Sequence, residues 1–126
     1  MTSMRRFKDS EAWRKARELT KLVYKITSTG AWAKDFALRD QARRAAVSVM
    51  SNIAEGFERR GAVEFCRYLV MAKASAGEVR SQLYVALDLS YVDQQTFASV
   101  YQLAETTSRM IAGLTNYLRG KKAPKS

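Results

Sequence analysis

Polar side chains recur along two stretches of the sequence at the spacing of one helix face. The first stretch carries Gln41, Arg44, Ser48, Asn52 and Glu55, and the second carries Ser75, Glu78 and Gln82. Every step within each set is three or four residues, the separation at which side chains lie above one another on a helix. Glu55 and Glu78 are a pair of carboxylates that could exchange protons with a substrate or hold a metal ion.

The amino-acid counts weigh against catalysis by these carboxylates. The chain has no histidine, whereas dicarboxylate metal sites in helical bundles add Glu-x-x-His motifs. The same absence excludes a Ser–His–Asp triad and a histidine-ligated zinc site. The single cysteine, Cys66, allows neither an internal disulfide nor a thiolate cluster. We therefore expect a protein that is not an enzyme and that holds no metal or cofactor.

The two polar stretches can meet if the chain turns between them. A turn near Gly61 would make their helices antiparallel neighbours, with Glu78 opposite Arg44 and Ser75 near Ser48. A carboxylate and a guanidinium paired across two helices would fix the register of the pair. The alternative is a solvated surface stripe in which the two rows stay apart.

The elements that must position these side chains are predicted to be helices. Apolar residues alternate steps of three and four, most regularly in Phe65, Leu69, Ala72, Ala76, Val79, Leu83 and Ala86. This pattern is typical of helices that pack side by side. Ser10 and Asp93 are candidate N-caps, and Gly30 is a candidate helix end. We predict helices over residues 10–29, 38–58, 63–90 and 94–119.

Short connections between four helices favour antiparallel neighbours. We therefore predict an all-α fold, an up-down-up-down four-helix bundle that forms one domain over residues 1–119. Residues 120–126 hold Pro124 and three lysines and lack an apolar face. This segment is predicted to be a disordered basic tail.

A second set of large side chains lies off the main apolar rows. Its members are Trp13, Leu22, Tyr24, Met50, Phe57, Tyr68, Met71, Tyr84, Leu103, Met110 and Tyr117. These side chains either widen the core face or form contacts between subunits, where Tyr, Trp and Met are enriched. Because the main rows are rich in alanine, we expect a homo-oligomer.

Charge is the strongest compositional feature, since 22 Lys+Arg against 12 Asp+Glu give a net charge of +10. One basic cluster opens the chain, with Arg5, Arg6, Lys8, Arg14, Lys15 and Arg17. Another closes it, with Arg109, Arg119, Lys121, Lys122 and Lys125. An antiparallel bundle would bring both clusters to one end of the molecule, which we call the basic pole.

The basic pole predicts binding to RNA or DNA through backbone phosphates, with an affinity that falls steeply as salt rises. The sequence contains no base-reading motif of the zinc-finger or RRM type, so we expect binding that does not depend on base sequence. Two alternatives stay open. One is a soluble cationic protein without such a ligand, and the other is a protein-interaction scaffold whose charge serves an acidic partner protein.

The hydropathy pattern predicts no membrane span. The longest stretch without a charged side chain, Gln94–Ala104, has 11 residues, and a helix needs about 20 apolar residues to cross a bilayer. No apolar run follows the basic segment Met1–Lys8, as it would in a secretory signal. We therefore expect a cytoplasmic protein.

Several of these residues follow one another in the order of a known family. The order comprises Phe7, Lys8, Asp9, Trp13 and Ala16, the run from Gln41 to Ser48, the Asn-Ile-Ala-Glu-Gly-Phe run from Asn52 to Phe57, Arg60, Phe65, Leu69, Ala72, Ser75, Glu78 and Leu83. From about Phe7 to Leu118, the chain resembles the four-helix-bundle proteins encoded in intervening sequences of bacterial 23S ribosomal RNA genes.

The resemblance implies a four-helix bundle that assembles as a ring-shaped homopentamer. A related group of similar fold is the accessory variability determinant of diversity-generating retroelements, which binds nucleic acid and a reverse transcriptase. The resemblance also implies structural or surface-forming roles, without catalysis, for Gln41, Arg44, Ser48, Asn52, Glu55, Gly56, Ser75 and Glu78. The chain departs from the family pattern at Ala74, where glycine is common, and at Gly61-Ala62-Val63, which lacks the usual Ser/Thr cap.

Overall fold

The structure, a computed structural model, describes residues 6–7 and 10–122, and it describes 121 and 122 by their backbone alone. Within these residues the chain forms helices and no strand. The helices are α1 (Glu11–Ile26), α2 (Gly30–Lys34), α3 (Phe36–Phe57), α4 (Ala62–Asp88) and α5 (Gln94–Lys122). The predicted all-α fold is confirmed.

Side-chain caps begin three of the helices. Ser10 accepts a hydrogen bond from the Trp13 amide at 3.4 Å, and Asp93 accepts one from the Thr96 amide at 2.7 Å. Asp35, which the sequence reading did not identify as a cap, accepts from the Leu38 amide at 3.2 Å. Each cap satisfies an amide that has no partner within its own helix.

The prediction for the first helix and its connection was wrong. A helix over 10–29 was expected to stop at Gly30, but α1 ends at Ile26 and Gly30 begins α2 instead. Gly30 has φ +68°, a conformation that glycine adopts readily. The turn directs Trp32 into the core, where its side chain is 1% exposed and lies 6.3 Å from the Tyr91 ring.

The other bounds differ by a few residues. α3 begins at Phe36 rather than 38, and α4 ends at Asp88 rather than 90. α5 continues through Lys122, so the prediction of a disordered tail from residue 120 was wrong for residues 120–122. Lysine is a good helix former, which favours this continuation past Gly120. Residues 123–126 lie outside the described part of the chain.

Two clusters of buried side chains form the core, and each draws on α1, α3, α4 and α5. The first contains Leu19, Val23, Trp32, Ala42, Ala45, Ala46, Val79, Leu83, Ala86, Val92, Phe97, Val100 and Ala104. The second contains Ala12, Ala16, Val49, Ile53, Cys66, Leu69, Ala72, Ala76, Ile111 and Leu118. Burial of these apolar surfaces holds the four long helices together.

The second set of large side chains divides between the two roles considered for it. Partly buried members that pack against the core are Trp13, Leu22, Met50, Phe57, Leu103 and Met110. Exposed members are Tyr24, Met71, Tyr84 and Tyr117. Six therefore widen the core, four contribute apolar surface to the outside of the chain, and the eleventh, Tyr68, is partly buried beside Gly56.

Candidate functional site at two seams of the bundle

A cavity of about 1120 Å³ lies along the seam between α3 and α4. We call it the polar cavity. It is lined by Tyr24, Asp40, Gln41, Arg43, Arg44, Ala45, Val47, Ser48, Ser51, Glu78 and Gln82. Members of both predicted polar stretches therefore face one space.

A hydrogen-bonded group beside the polar cavity joins the two helices. The hydroxyls of Ser48 and Ser75 lie 2.9 Å apart. The Asn52 amide donates to the Ser48 hydroxyl at 3.0 Å and to the Ser48 carbonyl at 2.9 Å. The prediction that Ser75 lies near Ser48 is confirmed, and the contact fixes the register of α3 on α4.

Arg44 and Glu78 both line the polar cavity, yet both are exposed. Within the described chain, no ion pair at or below 4.0 Å joins them, so the predicted cross-helix ion pair does not form. Two exposed charged groups gain little from pairing because water already solvates each of them.

The two carboxylates considered for acid–base or metal chemistry are not brought together. Glu78 lines the polar cavity, whereas Glu55 pairs with Arg59, which lies just after the end of α3. The Arg59 guanidinium in turn lies 5.0 Å from the centre of the Tyr68 ring. Within the described residues, no group of three or more His, Cys, Asp or Glu side chains is placed to hold a metal ion.

Gly56 of α3 lies close against α4. A Cβ atom at this position would lie 2.7 Å from Cδ1 of Phe65 and 3.2 Å from Cβ of Tyr68. The Phe65 ring is itself packed against Phe57, with 4.7 Å between ring centres. The close contact therefore requires glycine at position 56.

Asp40 lies at the edge of the polar cavity among arginines. A hydrogen bond of 2.9 Å from Arg39 lowers the pKa of Asp40, and the charges of Arg39, Arg44 and Arg43 act in the same direction. The Arg43 side chain is held by hydrogen bonds to Thr27 at 2.9 Å and Ser28 at 3.0 Å. Positive and negative charge are thus mixed along this seam.

Three of the predicted basic residues on α1 have partners within that helix. Arg14 pairs with Glu11 at 2.9 Å, and Lys15 pairs with Glu18 at 3.7 Å. The Arg17 guanidinium lies 5.7 Å from the centre of the Trp13 ring.

Five members of the predicted basic clusters are not described, or are described in part. Arg5, Lys8 and Lys125 lie outside the described residues, as do the side chains of Lys121 and Lys122. Arg6 is described and exposed.

Arg109 and Arg119 lie along a different seam, the one between α4 and α5. Arg109 shares a depression with Lys73 and Arg80 of α4, and Arg119 shares a neighbouring one with the same two residues. We call this the basic groove, lined by Lys73, Arg80, Arg109 and Arg119. The sequence reading missed Lys73 and Arg80, although their separation of seven residues places them on one helix face.

Cys66 borders the end of the basic groove near Arg119. Its side chain is 8% exposed, and its thiol donates a weak hydrogen bond to the Thr115 carbonyl at 3.9 Å. This contact joins the first turns of α4 to the later part of α5.

Comparisons with known proteins agree with this architecture. A crystal structure at 1.70 Å of a Bacteroides thetaiotaomicron protein, described as a protein of unknown function from the S23 ribosomal protein family, is similar with a TM-score of 0.75. The two chains are 19% identical, and the match covers 82% of this chain and 97% of that one. No curated protein matches the chain.

The family described as 23S rRNA-intervening sequence protein matches residues 8–113. The chain therefore belongs to the 23S rRNA-intervening sequence protein family.

Proposed function

We propose that this protein is a non-enzymatic, homo-oligomeric basic bundle that binds RNA or DNA through backbone phosphates. In this proposal the four long helices run up-down-up-down, the oligomer is a ring, and the protein works in the cytoplasm with a reverse transcriptase as one possible partner. The net charge of +10 supplies the attraction for a polyanion.

One observation carries the proposal. Ala12 and Ala16 near the start of α1 share a core cluster with Ile111 and Leu118 near the end of α5. This supports an antiparallel arrangement in which the first and last basic clusters of the chain meet at the basic pole. Two clusters at one pole attract a phosphate backbone more strongly than the same charges spread evenly.

Exposed apolar side chains support the oligomer. Tyr24 and Val47 border the polar cavity and are exposed. Met71 and Val85 are exposed too, and they lie one heptad to either side of Glu78, hence on the same face of α4. Apolar groups that surround a polar centre suit a contact between copies of the chain.

Fluorescence anisotropy with labelled RNA and DNA tests the binding proposal. We expect the affinity to fall about 1,000-fold between about 50 and 200 mM salt, as for a protein that contacts several phosphates. Charge reversal of Arg5, Arg6 and Lys121 to glutamate should abolish most of the binding. The matched control reverses Lys21, Lys25 and Lys34, which changes the net charge equally but leaves the basic pole intact.

Two outcomes would contradict the proposal. An affinity that stays flat over this salt range, or no binding to either nucleic acid, would favour the protein-interaction scaffold. Light scattering that gives a particle of 14.2 kDa, the mass of one chain, at micromolar concentration would exclude the oligomer.

A further inference from the structure

The seam between α4 and α5 is an open channel made of neighbouring depressions. Their volumes are about 550, 280 and 190 Å³. The first and third share Lys73, Arg80 and Ala112, and the first and second share Val70 and Arg119. The basic groove is therefore continuous along the two helices.

The cations of the basic groove are not neutralised by the protein. Within the described chain, Lys73, Arg80, Arg109 and Arg119 form no ion pair at or below 4.0 Å. Among the described residues that line the groove, the carboxylate is that of Glu105. Arg67 lines the groove beside Cys66 as well, but it pairs with Glu64 at 3.1 Å. The four cations without an ion pair face the one negative charge of Glu105, so the groove attracts an anionic chain.

Two polar atoms beside the groove are buried without a partner. They are Nε of Arg80 and the hydroxyl oxygen of Ser108, and Ser108 is only 6% exposed. A buried donor without an acceptor is unfavourable. An anion that draws the Arg80 side chain toward the groove would give its guanidinium an acceptor that the protein does not supply.

Small residues keep the groove open. Ala74 and Gly77 of α4 and Ala112 of α5 line it between the charged side chains. A Cβ atom at Gly77 would meet only Nη2 of Arg80, at 3.5 Å. The space between the helices is therefore free for a ligand that lies along them.

Aromatic rings lie beyond Arg80 at the other end of the groove. Tyr84, one helical turn after Arg80, is 50% exposed. Its ring lies 5.0 Å from that of Phe97 and 5.4 Å from that of Tyr101, centre to centre. An exposed ring that is supported by other rings is a platform on which a nucleobase can stack.

The combination of cations and an aromatic platform distinguishes between single and double strands. A base can stack on Tyr84 only if its own face is accessible, as it is in a single strand. A duplex keeps its bases stacked and presents only its outer phosphates. The groove between two packed helices, whose axes are about 8–10 Å apart, suits one chain of phosphates.

We infer that the basic groove binds single-stranded nucleic acid, with phosphates on Lys73, Arg80, Arg109 and Arg119 and a base stacked on Tyr84. The inference rests on the proposed nucleic-acid binding and adds the type of strand and its path. It also assigns a role in binding to Lys73, Arg80 and Tyr84, which do not belong to the basic pole.

The test measures the affinity of the full chain for a labelled oligothymidine strand and for a duplex of the same length. The groove variant replaces Lys73, Arg80 and Arg109 with glutamine, and the control replaces Lys21, Lys25 and Lys34 with glutamine. We expect the groove variant to lose at least about tenfold in single-strand affinity. Its slope of log affinity against log salt should fall by about 2, at about 0.7 per phosphate contact. The control should change affinity by less than about threefold.

The stacking platform has its own pair of variants. Tyr84→Ala should lower single-strand affinity by about tenfold, since base–aromatic stacking contributes on that order. Tyr84→Phe should retain it, because stacking uses the ring and not the hydroxyl. Thermal unfolding followed by circular dichroism verifies that both variants fold.

The outcomes separate the two proposals. If the unchanged protein binds neither strand, the proposed function fails and this inference fails with it. If the protein binds, but the groove variant and Tyr84→Ala bind as tightly as the unchanged chain, the inference alone is wrong. A preference for the duplex, or a groove variant that alters the mass in light scattering and not the affinity, would also overturn it.

Discussion

Helix α4 contributes to two seams of the bundle, and the two differ in how their polar groups are satisfied. Toward α3, Ser75 shares a hydrogen bond with Ser48 at 2.9 Å, and Phe65 fills the space above Gly56. Toward α5, Arg80 and Ser108 bury polar atoms that have no partner among the described residues. The seam toward α3 also has an unpartnered buried atom, the acceptor Oε1 of Gln82. The unpartnered N–H of Arg80 and O–H of Ser108 in the seam toward α5 are donors, and donors suit an anionic ligand.

The distribution of charge follows the same division. Asp40 and Glu78 accompany Arg43 and Arg44 around the polar cavity, so positive and negative charges balance there. The basic groove has four cations that form no ion pair among the described residues, and one carboxylate, that of Glu105. Volume and attraction for a polyanion therefore do not coincide: the polar cavity of about 1120 Å³ has balanced charges, whereas the smaller depressions of the basic groove have the excess of cations.

The free energy of unfolding should change most when a glycine in each seam is replaced by alanine, which adds one methyl group. Gly56→Ala should destabilise the protein by about 1–3 kcal/mol, because its Cβ would overlap the Phe65 ring. Gly77→Ala should stabilise it by up to about 1 kcal/mol, because alanine is the better helix former and its Cβ meets no crowded atom. Urea denaturation of both variants measures the difference, and equal shifts in the same direction would contradict the contrast between the seams.

A smaller effect is expected from removing one hydroxyl from each seam. Ser75→Ala takes away the partner of Ser48 and should cost about 1 kcal/mol. Ser108→Ala removes a hydroxyl without a partner and should leave the free energy of unfolding unchanged or slightly higher. A double-mutant cycle with Ser48→Ala isolates the cross-helix bond, and a coupling energy of zero would show that the Ser48–Ser75 contact does not hold the helices.

The smallest effect concerns the ionisation of Asp40. Because the folded state lowers the pKa of this carboxyl, mainly through the hydrogen bond from Arg39, its charged form adds stability above the unfolded pKa of about 3.9. This stability disappears as the pH falls through the lowered pKa. The difference in unfolding free energy between the unchanged chain and Asp40→Asn should therefore be present at neutral pH and shrink in acid. A difference that grows in acid would mean that the carboxyl has the opposite shift.

Much of the fold follows from the sequence because the buried residues recur at the spacing of one helix face. Leu69, Ala72, Ala76, Val79 and Leu83 are spaced by three and four residues, and all are almost fully buried. The contact between Ser48 and Ser75 could be predicted for a similar reason, since a short turn fixes which residues of two neighbouring helices face each other. Local spacing thus predicts the register of two neighbouring helices, but not whether exposed partners such as Arg44 and Glu78 form an ion pair.

Features that depend on distant segments were missed. α2 is only five residues long, too short to show a period. Trp32 shares its core cluster with residues more than forty positions away, such as Leu83 and Phe97. The basic groove needs Lys73 and Arg80 to face Arg109 across a seam between helices. The predicted binding residues were the cations near the two chain ends. Lys73 and Arg80 lie in the middle of α4 and therefore were not among them.

The position of Cys66 makes it possible to measure how often the seam between α4 and α5 opens. It is the single thiol of the chain, and it is covered where α4 and α5 meet beside Thr115. Because only 8% of its side chain is exposed, a thiol reagent should modify it slowly, and the labelling rate should rise whenever these helices part. No engineered probe is needed, and protection of the thiol by an added ligand would report occupancy of this side of the bundle directly.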